Sequence, residues 1–340
     1  MSLHNDIIEF FGRYPDKLSM GLYTQEHDEI FFVACLSDKE KGTPFEVGVF
    51  ELGQSMIDFL YDPDYERIVG ALLESDSHVK QILEAPNDVA RWVPLYLLLQ
   101  AAQSQFFYFY LVQEIVTAYK SKMCRPDGTP YPIDYFCEIG RSYQRLRERV
   151  KDIVGVCFEE TSKNGASATE RYIENFPLDT LLYRDVSGEP VPARPYKEGE
   201  PMSYKMAEVL HPRMPEDIGN FLFFQYLKEN ILFKRCENCQ KYFVATGRSN
   251  VKYCDRMVDE TGKTCRQIAP AMTFREKRKD SPAEKVFNRA YKTLHSRMSA
   301  GKLSKELFKE WSKEARQKRD ECAAGKITLE DFERWLVDGD

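Results

Sequence analysis

Residues 235–266 read Arg-Cys-Glu-Asn-Cys-Gln-Lys-Tyr-Phe-Val-Ala-Thr-Gly-Arg-Ser-Asn-Val-Lys-Tyr-Cys-Asp-Arg-Met-Val-Asp-Glu-Thr-Gly-Lys-Thr-Cys-Arg. The spacing is Cys236-x2-Cys239-x14-Cys254-x10-Cys265. A two-residue gap lets both thiolates of a tight knuckle point at one ion, and the second pair closes a tetrahedron from further along the chain. Zinc is the expected ion, one per chain, because it is redox-inert and favours four sulfur ligands at about 2.3 Å. Four cysteines close the coordination sphere, so the same pattern that argues for zinc argues for a structural ion rather than a catalytic one. The competing reading of Cys-x-x-Cys is a redox pair, which normally opens a helix after a strand. Here Lys-Tyr-Phe-Val and a Gly-Arg-Ser-Asn turn follow, and these look like a β-hairpin. The Cys254–Cys265 gap is longer than usual, and no histidine lies between 236 and 265, so His211 or His295 would have to reach in from afar.

Charge changes sign around this motif. The 340-residue chain has a net charge of −6, yet residues 241–319 hold 21 basic and 9 acidic side chains, and residues 1–235 hold 25 and 37. An acidic body followed by a basic segment suits a polyanion-binding surface, and equally a solvated helical surface. The expected phosphate contacts near the motif are Arg248, Lys252 and Arg256, with Arg266, Arg275, Lys277, Arg278 and Lys279 on the segment that follows.

With 43% hydrophobic residues the chain can build a sizeable core, which excludes wholesale disorder. Nine cysteines are too few for a disulfide scaffold. The start, Met-Ser-Leu-His-Asn-Asp, lacks the pattern of a signal peptide. The longest apolar stretch, Trp92 to Val112, is broken by Gln100, Gln103, Ser104 and Gln105, so no membrane span is expected. A cytoplasmic protein with reduced thiols follows. Cys35, Cys124, Cys137, Cys157 and Cys322 are isolated and are expected as buried apolar thiols.

Upstream, residues 30–35 and 45–51 read as two antiparallel strands, a small β-hairpin. Short helices are expected over 65–74 and 77–85. Asp88 then caps one long helix running towards Lys122, apolar nearly all round. A second long helix carries Tyr135, Ile139, Leu146, Val150, Ile153 and Cys157 at helical steps, with Arg141, Arg145, Arg147, Arg149 and Lys151 between them. Residues 185–201 contain six prolines and glycines, the pattern of a loop or domain edge. A helix from about Glu216 to Asn230 leads into the cysteines.

The order helix, Cys-x-x-Cys, Phe243, basic turn, Tyr253-Cys254, Cys265 and basic helix resembles the C-terminal zinc domain of the bacterial CGNR zinc-finger family, over roughly 40 residues. That resemblance implies a helical N-terminal domain before a treble-clef-like zinc module, and a DNA-binding regulator. The family's Cys-Gly-Asn-Arg is Cys265-Arg266-Gln267-Ile268 here, so only the four ligands carry over. The chain as a whole is similar to Firmicute proteins that end in such a four-cysteine module.

Beyond the motif, Ser281-Pro282-Ala283-Glu284 forms a helix start with proline at the first helical position. A repeat follows at an offset of 24 residues: Ala-Gly-Lys-Leu-Ser-Lys-Glu-Leu-Phe-Lys-Glu-Trp from 300 to 311, and Ala-Gly-Lys-Ile-Thr-Leu-Glu-Asp-Phe-Glu-Arg-Trp from 324 to 335. Each copy has a glycine stop (Gly301, Gly325), an N-cap (Ser304, Thr328) and an aromatic pair (Phe308/Trp311, Phe332/Trp335). Three successive helices are expected, their aromatics packing between neighbours or stacking on bases. Lys285, Arg289, Lys292, Arg297, Lys309, Lys313, Arg316, Lys318 and Arg319 remain for phosphates.

The resulting expectation is a mostly α (α+β) chain. It has a helical N-terminal domain over 1–184, a linker over 185–215, a connecting helix and zinc module over 216–270, and a basic helical tail over 271–340. The function expected first is zinc-stabilised binding of nucleic acid, duplex DNA above all. The alternative is an assembly component using the Phe/Trp helices to bind protein. An enzyme with its site in the N-terminal domain comes last, since no phosphate-loop, zinc-protease or nucleophile-elbow motif occurs and no catalytic residue stands out.

Overall fold

Leu18, Met20 and Leu22 alternate along the first strand and bury their side chains, so the sheet begins well before residue 30. The computed structural model describes residues 3–15, 18–35, 44–102, 105–159, 166–177, 185–192, 203–245, 251–258, 262–269 and 281–338. The fold is mixed α+β and mostly helical. It divides into two units, Met1–Arg235 with Lys241–Val251, and Cys236–Gln240 with Lys252–Asp340.

In the first unit a five-stranded antiparallel sheet has the order β3-β2-β1-β5-β4. Its strands are β1 (Leu18–Gln25), β2 (Asp28–Cys35), β3 (Pro44–Glu51), β4 (Val186–Pro192) and β5 (Tyr204–Leu210). The expected pair is β2 and β3, in register at Phe32↔Val47. Two corrections attach to the rest of the sheet. The hairpin is part of a larger sheet, and residues 186–192 and 204–210 of the expected linker are strands paired from Val186↔Leu210 to Pro192↔Tyr204. Proline and glycine mislead here for a physical reason: β4 is an edge strand, where a residue without an N–H leaves no ladder bond unmade. Residues 193–202 of that stretch lie outside the described residues.

Helices cover the sheet. They are α1 (Leu3–Gly12), α2 (Gln54–Leu60), α3 (Tyr65–Leu73), α4 (Asp76–Glu84), α5 (Val93–Ala102), α6 (Phe109–Lys120), α7 (Tyr135–Ile153), α8 (Ala168–Asn175) and α9 (Pro215–Lys228). The single helix expected from Asp88 is two. Asp88 caps a 3-10 turn, accepting from the Ala90 amide at 3.1 Å, and the chain breaks again before α6, where Gln105 is extended. The all-round apolar pattern is real, since α5 and α6 are buried on several sides, but it cannot register a break in direction. Arg141, Arg145 and Lys151 on the basic face of α7 are exposed and Arg147 and Arg149 half-buried; Arg145 pairs with Glu216 at 2.7 Å, Arg147 with Glu66 at 2.7 Å, and Arg149 with Asn220. Gly219 of α9 brings that helix onto α7, where an added Cβ would sit 2.3 Å from Leu146. A short hairpin follows α9, β6 (Phe233–Arg235) with β7 (Tyr242–Val244).

The second unit holds β8 (Met257–Val258), β9 (Lys263–Thr264), a helical turn α10 (265–269), α11 (Pro282–Ser299), α12 (Lys305–Ala323) and α13 (Leu329–Asp338). Ala283, Phe287, Ala315, Phe332 and Leu336 form the core of its last three helices. Phe308 and Trp311 face Tyr291 of α11, so the aromatic pairs are packing, not a base-stacking platform. Arg319 is corrected likewise. It is buried, 3.3 Å from Glu284 and over the Phe287 ring, and no phosphate can reach it.

Candidate metal centre

The knuckle emerges directly from a strand. β6 delivers Cys236, and Gln240 takes a left-handed conformation (φ 59°) with its amide donating to the Cys236 carbonyl at 2.9 Å. That tight turn carries Cys236 and Cys239 on one side, and β7 then returns antiparallel to β6. The hairpin expected after the cysteines is thus built around them, with the knuckle as its turn; residues 246–250, the Gly-Arg-Ser-Asn segment included, lie outside the described residues. Cys254 precedes β8. Its carbonyl accepts from the Arg266 amide at 3.0 Å, and the Cys265 amide donates to the Arg256 carbonyl at 2.9 Å. The β8–β9 hairpin between them folds the ten-residue gap back on itself, which explains its tolerance of extra length. Cys265 opens α10.

All four sulfurs lie within 4.8 Å of one another, and Cys239 Sγ is 3.6 Å from Cys254 Sγ. A tetrahedral tetrathiolate with metal–sulfur bonds near 2.3 Å has edges of about 3.8 Å. The donor set therefore fits a metal ion, and no histidine is needed. Cys236, Cys254 and Cys265 are buried and Cys239 half-buried.

Hydrogen bonds to sulfur prepare the site. The Cys254 amide donates to Cys236 Sγ at 3.4 Å, Asn238 Nδ2 to Cys265 Sγ at 3.2 Å, and Arg256 Nη1 approaches Cys254 Sγ at 3.8 Å. Burial raises the Cys236 thiol, but the amides of Cys239, Cys254 and Asn238 outweigh it and bring the group down to about 7. Burial pushes Cys254 up to about 12, helped by hydrogen bonds with Cys239 and Cys236. Four thiolates cannot share this volume alone; a divalent cation bound among them would supply the missing charge. Asn238 is the contributor that spacing rules did not flag; its position inside the knuckle was the available signal.

Of the expected phosphate contacts, Lys252 is exposed and pairs with Glu237 at 2.8 Å, and Arg266 pairs with Asp255 at 2.9 Å. Arg256 is half-buried against the cysteines. Arg248, Arg275, Lys277, Arg278 and Lys279 lie outside the described residues. The exposed cations gather instead on the helices: Lys285, Arg289 and Lys292 on α11, and Lys305, Lys309, Lys313 and Arg316 on α12. Cys137 and Cys157 are buried as expected, whereas Cys124 is exposed. No helix among the described residues is long and apolar enough to cross a membrane.

No curated protein and no solved structure matches the chain. Residues 184–338, from just before β4 to the end of α13 and with all four cysteines inside, are similar to a family of unknown function, DUF6076.

Proposed function

We propose that this protein is a zinc-stabilised nucleic-acid-binding protein, with a regulatory role on duplex DNA as its first reading and the bacterial cytoplasm as its compartment. Zinc is the ion of choice for a closed four-sulfur site, and its role there is to fold the module. The observation that carries the binding reading is the cationic stripe of α12. Lys305, Lys309, Lys313 and Arg316 are exposed and fall within an arc of about 80° over a rise of about 16 Å. Lys285, Arg289 and Lys292 form a similar stripe on α11. Stripes of this kind meet phosphates rather than base edges, so affinity would be sensitive to salt before it is sensitive to sequence.

The test is titration of a fluorescent DNA duplex across a salt series. Neutralising phosphates costs a slope of about 0.9 in log K per log salt for each contact. Lys305→Ala with Lys309→Ala and Lys313→Ala should therefore flatten the slope by about 2 to 3 and leave the metal bound. Wild-type affinity that does not change with salt would remove the reading. Metal analysis of the purified protein should return one zinc per chain.

A further inference from the structure

Within the second unit α11 and α13 pack side by side, and a groove of about 390 Å³ opens between them. Leu294 and Leu336, each 6% exposed, form its floor, and half-buried Val286 and Ala290 line its α11 wall. Val337 stands at the α13 edge with 73% of its surface exposed, and among the described residues no large apolar side chain is more exposed. A lone exposed valine is ordinary; one at the mouth of a leucine-floored groove is a knob beside a hole.

The two rims carry opposite charges. Arg289 lies on the α11 rim and Glu333 on the α13 rim, both exposed, and neither side chain has a hydrogen-bond or ion-pair partner within the chain. A groove with a cation on one helix and an anion on the other is its own complement. A two-fold axis running along it lays α11 of each copy over α13 of the other, so that Arg289 faces Glu333 of the second copy and Val337 faces the Val286–Ala290 wall. An axis across the groove would set like rims together, Arg289 against Arg289, and like charges brought face to face in an interface are costly. Lys285 and Lys292 lie about 40° and 60° further round α11 than Arg289, on the side away from the floor. None of the α12 cations Lys305, Lys309, Lys313 and Arg316 lines the groove.

We propose that this groove is the contact surface of a symmetric homodimer and that its occupant is a second copy of the chain. The apolar floor and Val337 supply the attraction, and the crossed Arg289–Glu333 pairs fix the direction of the axis. The α12 stripe stays outside the contact, so the dimer forms without nucleic acid and does not depend on the nucleic-acid reading.

The test is sedimentation velocity of the nuclease-treated full chain over a concentration series. The wild type should pass from 39.7 kDa to twice that mass as concentration rises. Val337→Asp changes an exposed side chain, so it should keep the wild-type melting transition and raise the dimer Kd by about tenfold or more. Arg289→Glu and Glu333→Arg should each weaken the dimer alone. Mixed in equal amounts they should dimerise like the wild type, because each copy then meets the opposite charge on the other; an effect confined to one chain would not be rescued by mixing. The Lys305→Ala, Lys309→Ala, Lys313→Ala variant should dimerise like the wild type. A wild type that stays monomeric up to about 100 μM would overturn the proposal. So would a dimer unmoved by Val337→Asp, a mixture no tighter than either charge variant alone, or loss of the dimer in the lysine variant, which would mean bridging through a polyanion.

Discussion

Glu29 is a carboxylate with no exposed surface, at the start of β2. The Gly53 amide at 2.6 Å, the Ser55 amide at 3.3 Å and the hydroxyls of Ser55 and Tyr226 all donate to it, so it clamps the start of α2 and the side of α9 to the sheet. Burial still dominates and raises its pKa from 4.5 to about 7. The folded state thus holds this proton more tightly than the unfolded chain. Its stabilising effect is complete below pH 4.5 and is lost as pH rises to about 7, a loss on the order of 3 kcal/mol. Glu29→Gln carries no charge to bury. The stability of the wild type relative to Glu29→Gln should therefore fall between pH 5 and pH 8 in urea melts; a difference independent of pH would mean that the carboxylate ionises as easily inside as outside. The cysteines give the opposite kind of prediction, because a metal site is a cooperative set. Cys239→Ser should drop the metal content from one per chain towards zero and raise amide exchange over 252–258 and 262–269, since ion binding and local folding are one equilibrium.

At the scale of elements, the 24-residue repeat resolves into two copies of one helix stop. The Lys302 amide donates to the Arg297 carbonyl and Gly301 to Met298; Lys326 donates to Glu321 and Gly325 to Cys322. Both glycines have φ 73°, and a Cβ at either would meet no atom within 4 Å. Strain at these positions is therefore pure backbone strain, about 1 to 2 kcal/mol for a left-handed L-residue. Gly301→Ala and Gly325→Ala should each cost about that much in urea melts, and the double variant should cost the sum. Ser304 and Thr328 restart the chain by accepting from the amides three residues on, at 3.2 and 3.1 Å. These turns were readable in the sequence because everything that makes them lies within seven residues. The knuckle was readable for the same reason. What escaped reading depends on distant partners. β1 and β4 are strands because β2 and β5 pair with them, and the proline signal that hid β4 depends on whether a strand is at an edge. Arg319 reads as one more surface cation, and only Glu284, 35 residues earlier, explains its burial. Ser19, His211 and Glu189 meet across separations of 192 and 22 residues, with no local pattern to connect them.

Within the second unit, the cysteine cluster and the cationic stripes sit on different parts, and that separation makes the proposed function divisible by experiment. The core of α11–α13 is Ala283, Phe287, Ala315, Phe332 and Leu336, with no metal ligand among them. Its buried Arg319–Glu284 pair likewise draws nothing from the cysteines. Helices held by their own core should survive loss of the ion, together with the stripe of Lys305, Lys309, Lys313 and Arg316. Cys239→Ser is therefore expected to keep salt-dependent DNA binding of the same slope for the part carried by α11 and α12, while losing whatever the metal module adds in affinity. The triple lysine variant should do the reverse, holding its metal and its thermal transition while the slope flattens. Running the salt series on both variants beside the wild type distinguishes the two contributions. If Cys239→Ser abolishes binding at every salt concentration and the lysine variant matches the wild type, recognition belongs to the metal module and the helical stripe is only a solvated face.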